Sequence, residues 1–465
     1  MDEVRSTKRF SRRQFLIGSA AVSVFAALAA CTPAPAGAPA ADAPAAAAVP
    51  TPAVGVYGKS ANKIVVWHGL GGADGNVFAQ MLQQYATENP DVSIQSETYG
   101  WDVFFQKYPT AVAAGTPPDW AIHHAAEVQQ MASQGLAQSM DPIFFETGVL
   151  PKDDFAPAIM EVCTYDGAAM AVPFDNHGWV QYVNTKVITD AGLDPMALPA
   201  NGTEFIDWAL KVTTDEAGKH ANEDGFDPEK TKVWALHQSW PRFTIPSTLF
   251  QFGGGVIDAD NNKSLLDSAE SVAAIQFWHD LMYKYKVVPP QVPGQLSAYD
   301  LYKTNSLAIM WDGTWSLGFF NDNPEILPPT SYATSLVSLS PDGHQANKMD
   351  SHIMTIPPGV AAENSERAAK LIKWLSDNGK TWATSGQIPA RLSVQNDPAV
   401  QGIWSVKAAA EEFNTIGVTE TPHPAFIEIQ TAWEASVGAA LTNATPVEQA
   451  LQEGNAAVQS ILDRG

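Results

Sequence analysis

Ile64-Val65-Val66-Trp67 is a continuous apolar run of the kind found in strands covered on both faces. Gly69, Gly71, Gly72 and Gly75 follow, and then Val77, Phe78, Met81, Leu82 and Tyr85 fall at helical spacing before Pro90. Val92 and Ile94 alternate as the next strand. A strand, a glycine-rich turn, a helix and a strand within so short a stretch imply a right-handed parallel crossover, and hence an α/β sheet. The turn does not carry the dinucleotide fingerprint G-x-G-x-x-G. Counted from Gly69, the third glycine position is Asp74.

A second unit of this kind surrounds Pro117-Pro118-Asp119-Trp120-Ala121-Ile122-His123-His124. Ala368, Leu371, Ile372 and Leu375 mark a later helix. Thr445-Pro446-Val447-Glu448 reads as a capping box opening the last helix, whose apolar face runs through Val447, Leu451, Val458, Ile461 and Leu462. No internal repeat at a solenoid period is present. With 465 residues the chain is too long for one core, so at least two lobes are expected.

The first thirty residues differ in character from the rest. Arg5, Lys8, Arg9, Arg12 and Arg13 outweigh Asp2 and Glu3, and sixteen uncharged residues follow from Phe15 to Ala30. That run is short for a membrane span and right for a signal-peptide core. Ser11-Arg12-Arg13-Gln14-Phe15-Leu16 resembles a twin-arginine export signal, and Leu28-Ala29-Ala30-Cys31 resembles a bacterial lipobox. The resemblance implies that residues 1–30 are removed and that Cys31 carries lipid, whose several acyl chains anchor stably. Residues 32–58 are mostly Ala and Pro, a tether that would span roughly 80 Å at about 3.1 Å per residue if fully extended. The formal charge of the whole chain is −23, which becomes −26 from Cys31 onward once the local +3 is removed. Such an acidic chain has no bulk charge for a phosphate backbone, so nucleic acid is excluded as a partner of that kind. The other cysteine, Cys163, reads as a small buried hydrophobe, and no disulfide is expected.

Over its mature length the sequence resembles the extracytoplasmic solute-binding proteins of bacterial ABC importers, the class that includes maltose-binding protein. The matching landmarks occur in order. After the first strand and its glycine turn come Ala114-Gly115-Thr116-Pro117-Pro118-Asp119 and Ala171-Val172-Pro173-Phe174 with Tyr182-Val183-Asn184. Phe252-Gly253-Gly254-Gly255-Val256-Ile257-Asp258 follows, then Ala308-Ile309-Met310-Trp311-Asp312-Gly313-Thr314-Trp315, and finally the tract from Ala368 to Leu375. The resemblance implies a two-lobed periplasmic-binding-protein-like fold of type II. Each lobe would be a mostly parallel sheet flanked by helices, and hinge crossings near residues 174, 350 and 395 would join them. Residues 62–174 with 350–395 would form the N-terminal lobe, and 175–349 with 396–465 the C-terminal lobe.

In open α/β sheets ligands sit beyond the carboxyl ends of the strands, so candidate binding residues are sought there. His68 follows the first strand. His123 and His124 end the second unit's strand, where adjacent side chains point to opposite faces and at most one enters a cleft directly. Their spacing supplies no convergent metal-ligand set, and no metal or other cofactor is expected. Asp175 and His177 lie in Asp175-Asn176-His177-Gly178-Trp179, a cluster of polar groups that can hydrogen-bond sugar hydroxyls bidentately. His352 lies at the second crossing. Among the 14 tryptophans, Trp208, Trp278 and Trp374 sit in helical stretches and are read as core. Trp240 lies in a loop, and Trp311 and Trp315 flank a glycine turn. The resemblance places a sugar-stacking aromatic at Trp315 and sets Arg242 beside another ligand-contacting stretch.

The expected protein is therefore a monomeric, lipid-anchored extracytoplasmic receptor. It would capture a mono- or oligosaccharide by hinge closure and deliver it to a membrane permease, without covalent chemistry. The alternatives are an anchored glycoside-acting enzyme, or a binding protein for a polyol phosphate, a polyamine or a peptide. No G-x-S-x-G, H-E-x-x-H or Walker A sequence is present.

Overall fold

In the computed structural model, which describes residues 52–258, 262–290 and 297–464, two mixed sheets carry the architecture. The twin-arginine motif, the lipobox with Cys31 and most of the Ala/Pro tether lie outside the described residues. Among those described, no helix is long and apolar enough to cross a membrane.

The first sheet runs in the order Ala53–Tyr57, Ser93–Thr98, Lys63–His68, Trp120–His124, His352–Thr355, Val172–Pro173. Lys63–His68 pairs in parallel with Ser93–Thr98 and with Trp120–His124, joined by the helices Gly72–Glu88 and Trp101–Ala113. The second sheet runs Gly417–Val418, Asn347–Asp350, Asp175–Asn184, Leu307–Gly313, Thr231–His237, Thr214–Asp215, with Ser331–Thr334 and Ile388–Pro389 also paired to Asp175–Asn184. The expected parallel units are present, but in both sheets antiparallel pairs outnumber parallel ones, so neither is mostly parallel; the antiparallel pairs involve edge strands and strands beside a crossing. For the strands beside a crossing the reason is geometric, since a chain that has just left one sheet enters the next from its opposite end.

Val172–Pro173 belongs to the first sheet and Asp175–Asn184 to the second, so one passage is at Phe174. Asn347–Asp350 and His352–Thr355 flank another, at Ser351. Each sheet buries its own apolar cluster. Ile64, Val66, Phe78, Met81 and Trp120 belong to that of the first, with Ala368, Leu371, Ile372 and Leu375 of the helix Ala362–Asp377. Trp179, Trp278, Trp311 and Trp433 belong to that of the second. Trp208 and Trp278 are buried, and Trp374 is half-buried with its Nε1–H donating to Glu88 Oε2 (2.8 Å). Cys163 is a free, buried thiol.

The last helix corrects the capping-box reading. It spans Val447–Leu462, and Pro446 occupies the cap position with no side-chain cap bond, so Thr445 lies one residue too far upstream to serve. Val447, Leu451, Val458 and Leu462 are buried as the periodicity requires.

Glu412, on the helix Trp404–Ile416, is a carboxyl inside this core. Its Oε1 accepts from the Leu336 N–H (2.9 Å), and burial pushes the group up to about 8. It is therefore protonated in the folded protein at neutral pH but ionised in the unfolded chain. Between the two values the folded state binds the extra proton, so stability falls as pH rises from about 4.5 to about 8. Glu412→Gln, a neutral isostere, is expected to match the wild type near pH 4.5 and to exceed it by about 2–3 kcal/mol at pH 7. Urea unfolding at the two pH values tests this, and equal differences at both would show that the carboxyl does not titrate in that window.

Candidate functional site

A cavity of about 650 Å³ lies where the carboxyl ends of strands from both sheets converge. Trp101 begins the helix after Ser93–Thr98, and His124 ends Trp120–His124. From the second sheet, Trp240 and Arg242 follow Thr231–His237, and Trp315 follows Leu307–Gly313. A neighbouring cavity of about 590 Å³ shares Trp101, Trp240 and Arg242 with the first.

Both large aromatic walls rest on glycine backbone. A Cβ on Gly69 would stand 2.1 Å from the Trp101 ring, and one on Gly313 would stand 2.2 Å from the Trp315 ring. Only the missing side chain lets each indole lie flat over the strand end. Trp101 stacks on Phe105 (5.8 Å between centroids), while Trp315 contacts Phe243 (5.8 Å) and Trp240 (6.5 Å, nearly perpendicular). Trp240 itself is 56% exposed and adopts the left-handed φ of 38°.

The polar floor is organised by Asp175, which is fully buried. Its Oδ1 accepts from the His352 N–H (3.0 Å) and meets His177 Nδ1 (2.9 Å). Its Oδ2 accepts from Trp382 Nε1–H (2.8 Å) and meets His352 Nδ1 (2.8 Å). Burial raises the Asp175 carboxyl, but His352 and His177 outweigh it and hold the group below the ordinary carboxylate range. Burial, reinforced by His352, lowers His177 to about 4. Burial also disfavours charge on His352, yet Asp175 beside it raises this ring above the usual histidine value. On the first-sheet side, burial pushes Asp74, at the start of the helix Gly72–Glu88, up to about 6.

The two cations on the wall are already committed. Lys348 pairs with Glu420 and donates to the Arg242 carbonyl (2.9 Å). Arg242 Nε donates to Glu434 Oε1 (3.2 Å), and its Nη2 lies 3.7 Å from Asp102 Oδ1.

Of the residues selected from sequence, Trp315, Trp240, His177, His124, Arg242 and His352 line the cavity. Asp175 does not reach it; it lies beneath His177 and His352 and orients both. His123 and His124 separate as strand alternation requires. His123 is buried against Phe104 (4.8 Å) and Tyr108 (4.3 Å) on the face away from the cavity. His68 also turns inward, meeting Ser96 Oγ (2.7 Å) and the edge of Phe78. Trp311 is core, its Nε1–H donating to Gln181 Oε1 (2.8 Å) and its ring lying against Trp278. His123 follows the parity of its strand, His68 is held inward by Ser96, and Trp311 lies in a strand that is buried on both faces.

Sequence reasoning missed Trp101, Asp74, Glu127, Tyr299, Lys348 and Asp350, all on the cavity wall. Trp101 could have been found by applying the strand-end rule after Val92 and Ile94. The others come from helices and from the approach to the second crossing, where the sequence carries no distinguishing signal. Spacing along the chain supplies no convergent metal-ligand set, yet the fold brings three histidines together. His124, His177 and His352 each present a ligand atom, all within 4.8 Å of one another. The set is assembled from three separate strands, so spacing along the chain could not reveal it.

Comparison with known proteins gives a consistent picture. Residues 71–382 match the family model of bacterial extracellular solute-binding proteins. A maltotriose-binding protein of Pyrococcus abyssi is 24% identical over 359 residues, covering 73% of this chain and 69% of that protein. An arabinooligosaccharide-binding protein of Halalkalibacterium halodurans is 22% identical over 351 residues, covering 74% of each. Among solved structures, maltose-bound MalE3 of T. maritima superposes with a TM-score of 0.73 at 24% identity, covering 86% of this chain and all of that one.

Proposed function

Since the chain belongs to the bacterial extracellular solute-binding proteins, we propose that it captures a short oligosaccharide in the 650 Å³ cavity and passes it to an ABC permease. The observation that carries this reading is the pair of indoles, Trp101 and Trp315, presented to one cavity from two different sheets. An indole face covers the apolar CH face of a pyranose, and polar neighbours address its hydroxyls. The relatives' maltotriose and arabinooligosaccharide support the same class. The neighbouring cavity offers room for a chain of more than one ring. A phosphorylated ligand finds less support, because Arg242 and Lys348 are both already paired with carboxylates. Capture requires no bond to be made or broken, and the protein acts as a receptor rather than an enzyme.

A thermal-shift panel of maltose, maltotriose, arabino-oligosaccharides, polyols and polyamines tests the class. At one hundred times Kd a ligand stabilises by about 2.7 kcal/mol. A shift with polyamines or polyol phosphates and none with any saccharide would sink the reading.

In this proposal residues 62–174 with 350–395 form one lobe and 175–349 with 396–465 the other, except that Ile388–Pro389 already pairs with the second sheet, and the passages at Phe174, at Ser351 and between Thr355 and Ile388 belong to the hinge. Ligand bridging the two lobes favours the closed state. Gly318, on the helix Leu317–Asn321, supports the idea that the two sides meet closely, since a Cβ there would lie 2.1 Å from Ala73 Cβ on the opposite side. Gly318→Val is expected to wedge the lobes apart, weakening saccharide binding about tenfold, or about 1.4 kcal/mol. Small-angle scattering with ligand should show a larger radius of gyration than for the wild type. Unchanged affinity and compaction would remove the contact from the closing mechanism.

Anchoring through lipid on Cys31 completes the proposal, placing the receptor at the outer face of a membrane and within reach of a permease. Release of a Cys31→Ser variant into the soluble fraction is the corresponding test.

A further inference from the structure

The cavity floor holds three histidines from three strands. Trp120–His124 and His352–Thr355 are paired with His352 opposite His124, and His177 lies opposite Asp350 in the second sheet. The rings crowd together, with centroids 4.2 Å apart for His177 and His352, 5.2 Å for His124 and His352, and 5.6 Å for His124 and His177. One ligand atom of each lies within 4.8 Å of those of the other two. We propose that His124, His177 and His352 bind one divalent transition-metal ion of the zinc class through their imidazole nitrogens, leaving its remaining positions open to the cavity.

The second layer of contacts argues for this more strongly than proximity alone. Every one of the three rings has its Nδ1 on a carboxylate: His177 on Asp175 Oδ1 (2.9 Å), His352 on Asp175 Oδ2 (2.8 Å), His124 on Glu127 Oε1 (3.0 Å). A carboxylate at Nδ1 holds the proton there, fixes the ring plane and leaves the Nε2 lone pair as the donor. This carboxylate–histidine arrangement is the one that metal-binding imidazoles characteristically have. Three imidazoles with an open fourth position also form a donor set that suits zinc, while imidazole in general suits zinc, copper, iron and nickel. The surroundings favour a cation as well. Asp74 and Asp350 line the same cavity, whereas the positive charges of Arg242 and Lys348 are paired with Glu434 and Glu420. Tetrahedral nitrogens at about 2.0–2.1 Å from zinc stand about 3.3 Å apart. The rings would therefore draw together on binding, and His124, at the end of its strand and less buried than the other two, is the one freest to move.

This inference stands apart from the carbohydrate reading and can fail without it. The test is a titration of the exported protein, stripped with a chelator, with cobalt(II) followed by visible absorption and then with zinc(II). One equivalent of cobalt is expected to develop the bands of a low-coordinate imidazole site, and zinc is expected to displace it. His177→Gln and His352→Gln should abolish the bands. Glu127→Gln removes no metal ligand and should weaken binding by about 10–100-fold. Near-UV circular dichroism establishes that each variant is folded, and Glu127→Gln serves where a histidine variant is not. Absence of saturable binding, or binding unaltered in folded His352→Gln and in Glu127→Gln, would overturn the proposal. The saccharide panel run on the stripped protein separates the two readings. Saccharide binding without a cobalt site sinks only the metal proposal, and a cobalt site without saccharide binding sinks only the oligosaccharide reading.

Discussion

Asp175→Ala is expected to cost about 3–5 kcal/mol of folding free energy, a large share of the roughly 5–15 kcal/mol that holds a typical domain. The carboxylate is fully buried and contacts donors from three segments: its own strand through His177, the His352–Thr355 strand, and the helix Gly379–Ala383 through Trp382. Truncation leaves these polar groups buried without their acceptor and opens space next to the passages at Phe174 and Ser351. An unsatisfied buried donor costs about 1–3 kcal/mol, and the groups here share one partner, so their losses do not simply add. Asp175→Asn keeps the shape and one acceptor oxygen, and is expected to lose less than the alanine variant. Urea unfolding of the three proteins gives the order. A value for Asp175→Ala within 1 kcal/mol of the wild type would mean that the carboxylate does not hold these three segments together.

Trp315→Ala is expected to weaken saccharide binding by about 2 kcal/mol or more, roughly 30-fold, while leaving the fold intact. The ring is half-buried, one face against Gly313 and its surroundings made of Phe243, Trp179 and Trp240. Those neighbours hold the indole rigidly, so little side-chain entropy remains to be lost when a sugar packs on it. Trp315→Phe retains a flat apolar face and should recover part of the affinity. Calorimetry with the best saccharide from the panel measures both. Equal affinity of wild type and alanine variant would move the stacking surface elsewhere on the cavity wall.

The two tryptophans flanking the Gly313 turn show why site residues are only partly legible in a sequence. Trp311 and Trp315 are four residues apart and chemically identical, yet one is core and the other wall. Trp311 lies inside Leu307–Gly313, a strand buried on both faces, and Trp315 comes after the strand has ended. The same distinction separates His124 from His123. His68, although it ends its strand, turns back to Ser96 because that polar partner is within reach. A strand-end rule therefore finds the neighbourhood, and only packing decides which side chain faces outward.

Local composition and periodicity determined a good deal by themselves. The apolar run at Ile64–Trp67, the glycines after it and the spaced helix face specify a parallel crossover, because backbone pairing and side-chain alternation are short-range constraints. The ordered landmarks carried the family and the two-lobed fold. Tertiary structure alone decided what the cavity floor is made of. His124, His177 and His352 come from strands far apart in sequence, and the buried Asp175 beneath two of them gains its role from where the chain passes between sheets. Convergence of that kind depends on long-range register, which no spacing along the chain encodes.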